Sequence, residues 1–193
     1  MSAVPPPKLS GRFSTVTERG LVRAGWREGR HCDISQVQAA LASHGFVLHE
    51  RAKAFLTEFH GLAIDVPING YPAIQGFVHL DVLWALRFVE RKVQSLVSKP
   101  VCPIGTCSGH STYVLMAVDG ATYLLDSDWT VFAPLAPSGS EALELLCDGR
   151  NGRVDSMLLV DERPSGHMLR ENNERDYWGL SCSVSTLIDW PQS

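Results

Sequence analysis

The chain has 193 residues, 45% of them hydrophobic and 20% charged, which are ordinary values for one globular domain. No apolar run reaches the roughly 18 residues of a membrane span, and the first ten residues lack the apolar core of a secretory signal. Five cysteines without paired spacing are typical of free thiols. We therefore predict a cytoplasmic protein without a membrane partner. The net charge is −4, but thirteen Asp/Glu against five Lys/Arg from residue 100 onward argue against nucleic-acid binding and favour a basic partner.

The first third of the chain is predicted to be helical. Residues 1–13 are proline-rich and are predicted to form a flexible leader, followed by a short helix at residues 14–24. Trp26, between two glycine turns, is expected to be a packing anchor. Asp33 is the predicted N-cap of a second helix that ends at Gly45, and a third helix covers residues 50–60.

A strand pair and a long helix are predicted next. Apolar residues at 62–66 and 74–80 predict two strands around an Asn-Gly turn. Asp81 is then the predicted cap of a long amphipathic helix that ends at Pro100. Its apolar face has spacings of three and four residues and comprises Val82, Leu86, Val89, Val93 and Leu96.

The strongest local signal is a hairpin at residues 113–125. Two runs rich in aromatic and β-branched residues flank Asp119-Gly120, a dipeptide that tolerates the positive φ of a two-residue turn. The first run is apolar at nearly every position. We therefore predict that it is a central strand of the sheet, covered on both faces.

The remainder of the chain is predicted to contain two strands, one helix and an extension. Residues 129–132 and 154–160 are the predicted strands, and a helix capped by Ser138 with Glu141 in a capping box is expected to end at Gly149. Residues 163–176 are predicted to form a polar loop. Because residues 177–190 hold several large apolar side chains, residues 151–193 are expected to pack as a C-terminal extension on the domain of residues 14–150.

The order and spacing of several short segments resemble the SUKH superfamily, in particular its third immunity-protein type. The resemblance covers roughly residues 21–149, and the residues that carry it are Ala24-Gly25-Trp26, Gly29-Arg30, the helix from Asp33 to Gly45, Ala54 to Leu62, Pro103-Ile104-Gly105, Asp119-Gly120, Tyr123 and Ala142-Leu143. His60 stands where the family pattern, a helix ending in Phe-Gly-Gly-Leu, has its first glycine. The resemblance implies an α+β domain with a mostly antiparallel sheet flanked by helices, and a cytoplasmic immunity protein that binds a toxin. It implies no catalytic residues.

Three residues could carry other chemistry. Cys102, Cys107 and His110 could ligate zinc, but a closed site needs a fourth ligand, which only the distant His31, Cys32 or Cys147 could supply. Cys107 or Cys102 with His110 could also form a nucleophile and base, oriented by Asp119 or Asp126. A dyad of His79 and Asp81 is a further possibility, although a strand end and a helix cap explain these two residues equally well. We predict no metal, no cofactor and no enzymatic activity.

The favoured function is inhibition of a toxin through surface complementarity. Toxins of such systems are often nucleases or nucleic-acid deaminases, whose basic clefts would attract carboxylates. The predicted contacts are Asp119, Asp126 and Asp128, with Trp129 as an aromatic anchor. A scaffold module of the same fold, or a cysteine-dependent enzyme that uses Cys107 and His110, are the alternatives. The sequence leaves the oligomeric state open.

Overall fold

Eight strands form one antiparallel sheet in which each strand pairs with the next along the chain. The computed structural model describes residues 10–68, 71–87, 89, 93, 94, 96, 97, 99–107, 112–126, 131–147, 158–161 and 168–170, with backbone alone at 67, 68, 71–77, 131, 158–161 and 168–170. In these residues the strands are β1 (Ala63–Ile68), β2 (Tyr71–His79), β3 (Val101–Cys107), β4 (Thr112–Ala117), β5 (Thr122–Asp126), β6 (Val131–Ala136), β7 (Leu158–Asp161) and β8 (Met168–Arg170).

Helices cover this sheet, so the predicted α+β class is confirmed for one domain. They are α1 (Thr15–Arg23), α2 (Ser35–Ser43), α3 (Glu50–Phe59), α4 (Val82–Ala85) and α5 (Gly139–Cys147). The helix α1 packs on β1 and α5, and α5 also packs on β6. No helix among the described residues is long and apolar enough to span a membrane.

Trp26 is a packing anchor, as predicted. Its side chain is 3% exposed and its ring stacks on Phe59, with the ring centroids 6.4 Å apart. Phe13 meets Trp26 edge-on at 5.8 Å, and Phe13 is buried although it lies in the predicted leader. Residues 10–13 are also held by polar contacts, because the backbone N–H groups of Ser10 and Gly11 donate to the buried Glu18 carboxylate.

The helix ends follow the predicted capping chemistry closely. Ser14 caps α1 by accepting the Thr17 N–H, and Gly45 has the positive φ of 76° expected after α2. Asp33 was the predicted cap of α2, but the N-cap is Ile34, while the Asp33 carboxylate accepts the Ser35 N–H at 2.9 Å. This is an Asx-type turn that shifts the helix start by one residue.

The predicted long helix after Asp81 is wrong in length. The α-helix covers only Val82–Ala85; after it the Arg87 N–H donates to the Trp84 carbonyl, an i→i−3 bond, and the Val89 N–H donates to the Ala85 carbonyl, an i→i−4 bond. The predicted apolar face is nevertheless buried at Val82, Leu86, Val89 and Val93. Repeated β-branched valines lower helix propensity, and burial of their side chains does not require a continuous helix.

Strand β3 was not predicted, because Pro103 and Gly105 argue against a central strand. The ladder accommodates them with a register shift: Pro103 pairs with Leu115, Gly105 pairs with Val114, and Ile104 is the extra residue. Gly105 has a specific role in this arrangement. A Cβ added there would lie 2.6 Å from the carbonyl oxygen of His79, so β2 can approach β3 only at a glycine.

The predicted hairpin is confirmed, but its turn is longer than the predicted two residues: the Ala117 N–H donates to the Ala121 carbonyl, which leaves Val118, Asp119 and Gly120 in the loop. Strands β4 and β5 pair from Thr112↔Asp126 to Met116↔Thr122, and all six residues of β4 are buried, as expected for a central strand. Gly120 has a φ of 96°. Strand β1 begins one residue later and ends two residues later than predicted, and β2 begins at Tyr71 rather than Ile74.

The last part of the chain is described only in pieces. Ser138 caps α5 by accepting the Glu141 N–H at 3.3 Å, and its hydroxyl donates to the Glu141 carboxylate at 2.8 Å. Strand β7 overlaps the predicted strand at 154–160, but β8 lies in the stretch predicted to be a loop, where it pairs with β7. The predicted helix end at Gly149 and the predicted order of residues 177–190 lie outside the described residues.

Candidate partner-binding surfaces

Asp119 lies at the apex of the β4–β5 turn and is exposed. Its carboxylate forms an ion pair with Lys99 at 2.5 Å and accepts the Ala121 N–H at 3.2 Å. Partial burial acts to raise the pKa of Asp119, but these hydrogen bonds and the Lys99 charge outweigh it and lower the pKa overall. Asp119 therefore presents a charged carboxylate at neutral pH, although the exposed ion pair contributes at most about 1 kcal/mol of stability.

Asp126 lies at the other end of β5, and its side chain is buried, with 3% exposure. At about 3.4 Å per residue, β5 separates the Asp119 turn from Asp126 by roughly 14 Å along the strand. The two aspartates therefore do not belong to one cluster. Asp128 and Trp129 lie outside the described residues, so their contact with a partner stays a prediction.

The cysteines of the proposed zinc or nucleophile site are buried in the sheet. Burial raises the pKa of Cys102 to about 12, which keeps this thiol protonated at neutral pH and disfavours it as a nucleophile or a metal ligand. Cys107 is 6% exposed. In the sheet it pairs with Thr112 of β4, and Thr112 pairs with Asp126 of β5. His110 lies outside the described residues.

The other possible ligands have structural roles. Burial, and then the Glu144 charge, raise the pKa of Cys147 to about 12. The Cys32 thiol donates to the Thr57 carbonyl at 3.0 Å. His79 ends β2, and Asp81 caps α4 by accepting the Leu83 N–H at 2.9 Å, as the simpler explanation of this pair predicted. Across the described part of the chain, no three His, Cys, Asp or Glu residues lie close enough to hold a metal ion.

A groove of about 240 Å³ opens between the segment before α1, one face of α3, the β4–β5 turn and the start of α5; we call it the α3 groove. Helix α3 contributes Arg51, Ala54, Phe55, Glu58 and Phe59, which share a face because they are spaced three and four residues apart. The other lining residues are Arg12, Met116, Gly120, Ser138, Gly139 and Ser140.

One end of the α3 groove is charge-compensated. Glu58 accepts from the Arg12 guanidinium at 2.5 Å and from the Trp26 indole N–H at 3.0 Å. The Arg12 guanidinium also lies 5.1 Å from the Phe13 ring centroid and 5.6 Å from that of Phe59. These contacts fix the arginine against the aromatic cluster, so the positive and negative charges at this end neutralise each other.

The other end of the α3 groove carries Arg51. This side chain is exposed, and it has no hydrogen bond or ion pair with any residue that the structure describes. Its stem passes close to Gly120, where an added Cβ would lie 3.0 Å from the Arg51 Cδ. The hairpin turn thus leaves room for the arginine because residue 120 is a glycine.

Local sequence patterns did not predict the α3 groove. Its lining residues come from four separate parts of the chain, and only the three- and four-residue spacing on α3 is a local signal. That spacing is also what any helix packed on a core would show. The position of Gly139, whose added Cβ would lie 2.7 Å from Met116 and from Phe55, depends entirely on tertiary packing.

Comparison with known proteins identifies the family. The sequence model of a protein family, described as SUKH-3 immunity protein, matches residues 13–149 of this chain. The chain belongs to the SUKH-3 immunity protein family. The matched segment includes α1 to α5 and β1 to β6, and thus nearly all of the α3 groove. A search of curated proteins and a search of solved structures found no significant match.

Proposed function

We propose that this SUKH-3 protein is a cytoplasmic immunity protein that binds one cognate bacterial toxin and neutralises it by surface complementarity. The observation that carries the proposal is the family match over residues 13–149, which covers all five helices and six of the eight described strands. An inhibitor of this kind needs a rigid surface but no catalytic residues. The closely packed sheet and helices provide such a surface.

We propose further that the toxin is a nuclease or a nucleic-acid deaminase. Such an enzyme has a basic cleft for phosphates, and the acidic excess of residues 100–193 would accelerate association with it. Asp119 is the best placed of the proposed contacts, because its carboxylate is exposed at a turn apex, where a basic group of the toxin would compete with Lys99 for it. Asp128 and Trp129 complete the proposed contact set, whereas Asp126 has little surface to offer a partner.

A non-enzymatic role is part of the same proposal. The competing cysteine enzyme would need Cys107 as a reactive thiolate, yet this residue is buried in β3. Thiol labelling at mildly acidic pH separates the two ideas: slow reaction of Cys107 supports the binding role, and rapid reaction favours the enzyme. A scaffold module of the same fold would bind a protein other than a toxin.

Co-expression tests the proposed function directly. The chain is produced in cells together with the toxin encoded next to it in the native genome, and survival is compared with cells that make the toxin alone. We expect survival to be restored, and the purified chain to inhibit the toxin at equimolar concentration. A toxin of the same catalytic class from another system is the specificity control. Undiminished killing by the neighbouring toxin would refute the proposal.

A further inference from the structure

We propose that the α3 groove binds an acidic segment of the toxin, with a carboxylate at Arg51 and an apolar side chain on the groove floor. This inference rests on the proposed function, because it names a contact surface for the same partner. The occupant is a protein segment of stated chemistry. It differs in charge from the basic cleft that Asp119, beside the groove residue Gly120, would meet.

The size and floor of the α3 groove favour side chains of a docking segment. Pockets for small organic ligands typically have volumes of about 300–1,000 Å³, whereas this groove has about 240 Å³. Its floor comprises Phe55, Phe59 and Met116, all at most 8% exposed, with the exposed Ala54 on its rim. An apolar side chain placed there would be removed from water without displacing any group of the core.

The charges of the α3 groove favour a carboxylate. Among its lining residues, Arg12 is matched by Glu58, which leaves the charge of Arg51 uncompensated within the lining. The part of the sequence that supplies Arg12 and Arg51 has the same sign, because residues 1–53 hold eight Lys/Arg against four Asp/Glu, and one of those four, Glu18, is buried. An arginine fork binds a carboxylate through two parallel hydrogen bonds, which gives geometric specificity.

The start of α5 adds donors on the opposite wall of the groove. Ser138 is engaged with Glu141, but the Ser140 side chain is exposed, and the first turn of a helix directs backbone N–H groups outward. Ser140 lines the same groove as Arg51, and its hydroxyl would orient the segment after the carboxylate binds. Two contacts of opposite sign, at Asp119 and at Arg51, would fix one orientation of the complex.

Charge reversal on α3 tests the inference. Affinity for a catalytically inactive form of the neighbouring toxin is measured by calorimetry for the wild-type chain, for Arg51→Glu and for Lys53→Glu. Both side chains are exposed on α3, but positions two apart on a helix face different directions, so Lys53 is a matched control outside the groove. We expect Arg51→Glu to weaken binding at least tenfold and Lys53→Glu to change it less than twofold.

A second pair of variants tests the floor without changing charge. Ala54→Trp fills the α3 groove from its rim, and Ala42→Trp places the same side chain at an exposed position of α2. Circular dichroism and thermal melting confirm that all variants fold. We expect Ala54→Trp to weaken the affinity at least tenfold and Ala42→Trp to leave it unchanged. A Glu→Arg or Asp→Arg change in the acidic segment of the toxin should restore its binding to the Arg51→Glu variant.

The outcomes distinguish this inference from the proposed function. Tight binding of wild-type and Arg51→Glu alike would overturn the acidic segment and leave the immunity role intact. Equal losses for Arg51→Glu and Lys53→Glu would indicate general charge attraction and would also overturn the groove contact. Loss with Ala54→Trp but not with Arg51→Glu would indicate a purely apolar occupant, which contradicts the proposal. No binding by the wild-type chain would overturn both proposals.

Discussion

His49 joins a helix to the sheet through both of its ring nitrogens. As N-cap of α3 it accepts the Ala52 N–H at Nδ1 over 3.2 Å, and its Nε2 lies 3.0 Å from the Met116 carbonyl of β4. Because an amide N–H can only donate, Nδ1 must be the acceptor, and Nε2 therefore carries the proton. One neutral imidazole thus fixes the position of α3 relative to the floor of the groove.

Replacing His49 should separate its two roles. His49→Ala removes the cap and leaves the buried Met116 carbonyl without its donor, so we expect the free energy of unfolding to fall by about 1–3 kcal/mol. His49→Asn can still cap the helix but is too short to reach Met116, and should recover about half of the loss. Urea denaturation measures both variants. Equal stability of the Asn and Ala variants would show that the cap contributes nothing.

At the scale of elements, the close approach of β2 to its neighbour β3 depends on a residue without a side chain. The Cβ of an alanine at position 105 would meet backbone, the His79 carbonyl oxygen, at 2.6 Å. At Gly139 the equivalent atom would meet side-chain atoms of Met116 and Phe55, each at 2.7 Å. A side-chain end can rotate away, whereas a paired strand can move only if its ladder moves with it.

The two glycines therefore predict different costs for the same substitution. We expect Gly105→Ala to lower the free energy of unfolding by about 2–3 kcal/mol or more, because β2 must shift. Gly139→Ala should cost less, since the added atom meets side-chain atoms of Met116 and Phe55 and not a paired strand. Thermal and urea unfolding of the two variants make the comparison. A cost at Gly139 equal to or above that at Gly105 would contradict this account of the β2–β3 contact.

The elements that the sequence predicted correctly are those determined by local chemistry. The Asp119-Gly120 hairpin and the Ser138 cap depend on residues within a few positions of each other, and both formed as predicted. Strand β3 was missed because only its neighbours show how Pro103 and Gly105 fit into a sheet. Arg51 was missed for the same reason, since its importance arises from contact with a turn almost seventy residues away.

Across the whole molecule, two carboxylates attach the start of the chain to the domain. Glu18 accepts backbone N–H groups of Ser10 and Gly11, and Glu144 of α5 accepts the Ser14 N–H at 2.6 Å and the Thr17 hydroxyl at 2.7 Å. Burial acts to raise the pKa of each carboxylate, but the hydrogen bonds outweigh it and lower both pKa values overall. The N-terminal segment is therefore held by groups that must stay ionised.

This attachment predicts an acid-sensitive protein. A carboxylate whose pKa is lowered by folding stabilises the native state fully above its unfolded-state value, here 4.5 for glutamate, and the contribution is lost as the pH falls through the lower folded-state pKa. We expect the free energy of unfolding, measured in urea at a series of pH values, to be nearly constant from pH 7 to 5.5 and to fall below about pH 4.5. The double variant Glu18→Gln with Glu144→Gln should be less stable than wild type at pH 7. It should also lose less stability on acidification. The reason is that the variant takes up as much as one proton fewer on unfolding for each carboxylate removed. Since glutamine keeps the size of glutamate, the converging curves would assign the effect to charge, and parallel curves for the two proteins would exclude these carboxylates as its source.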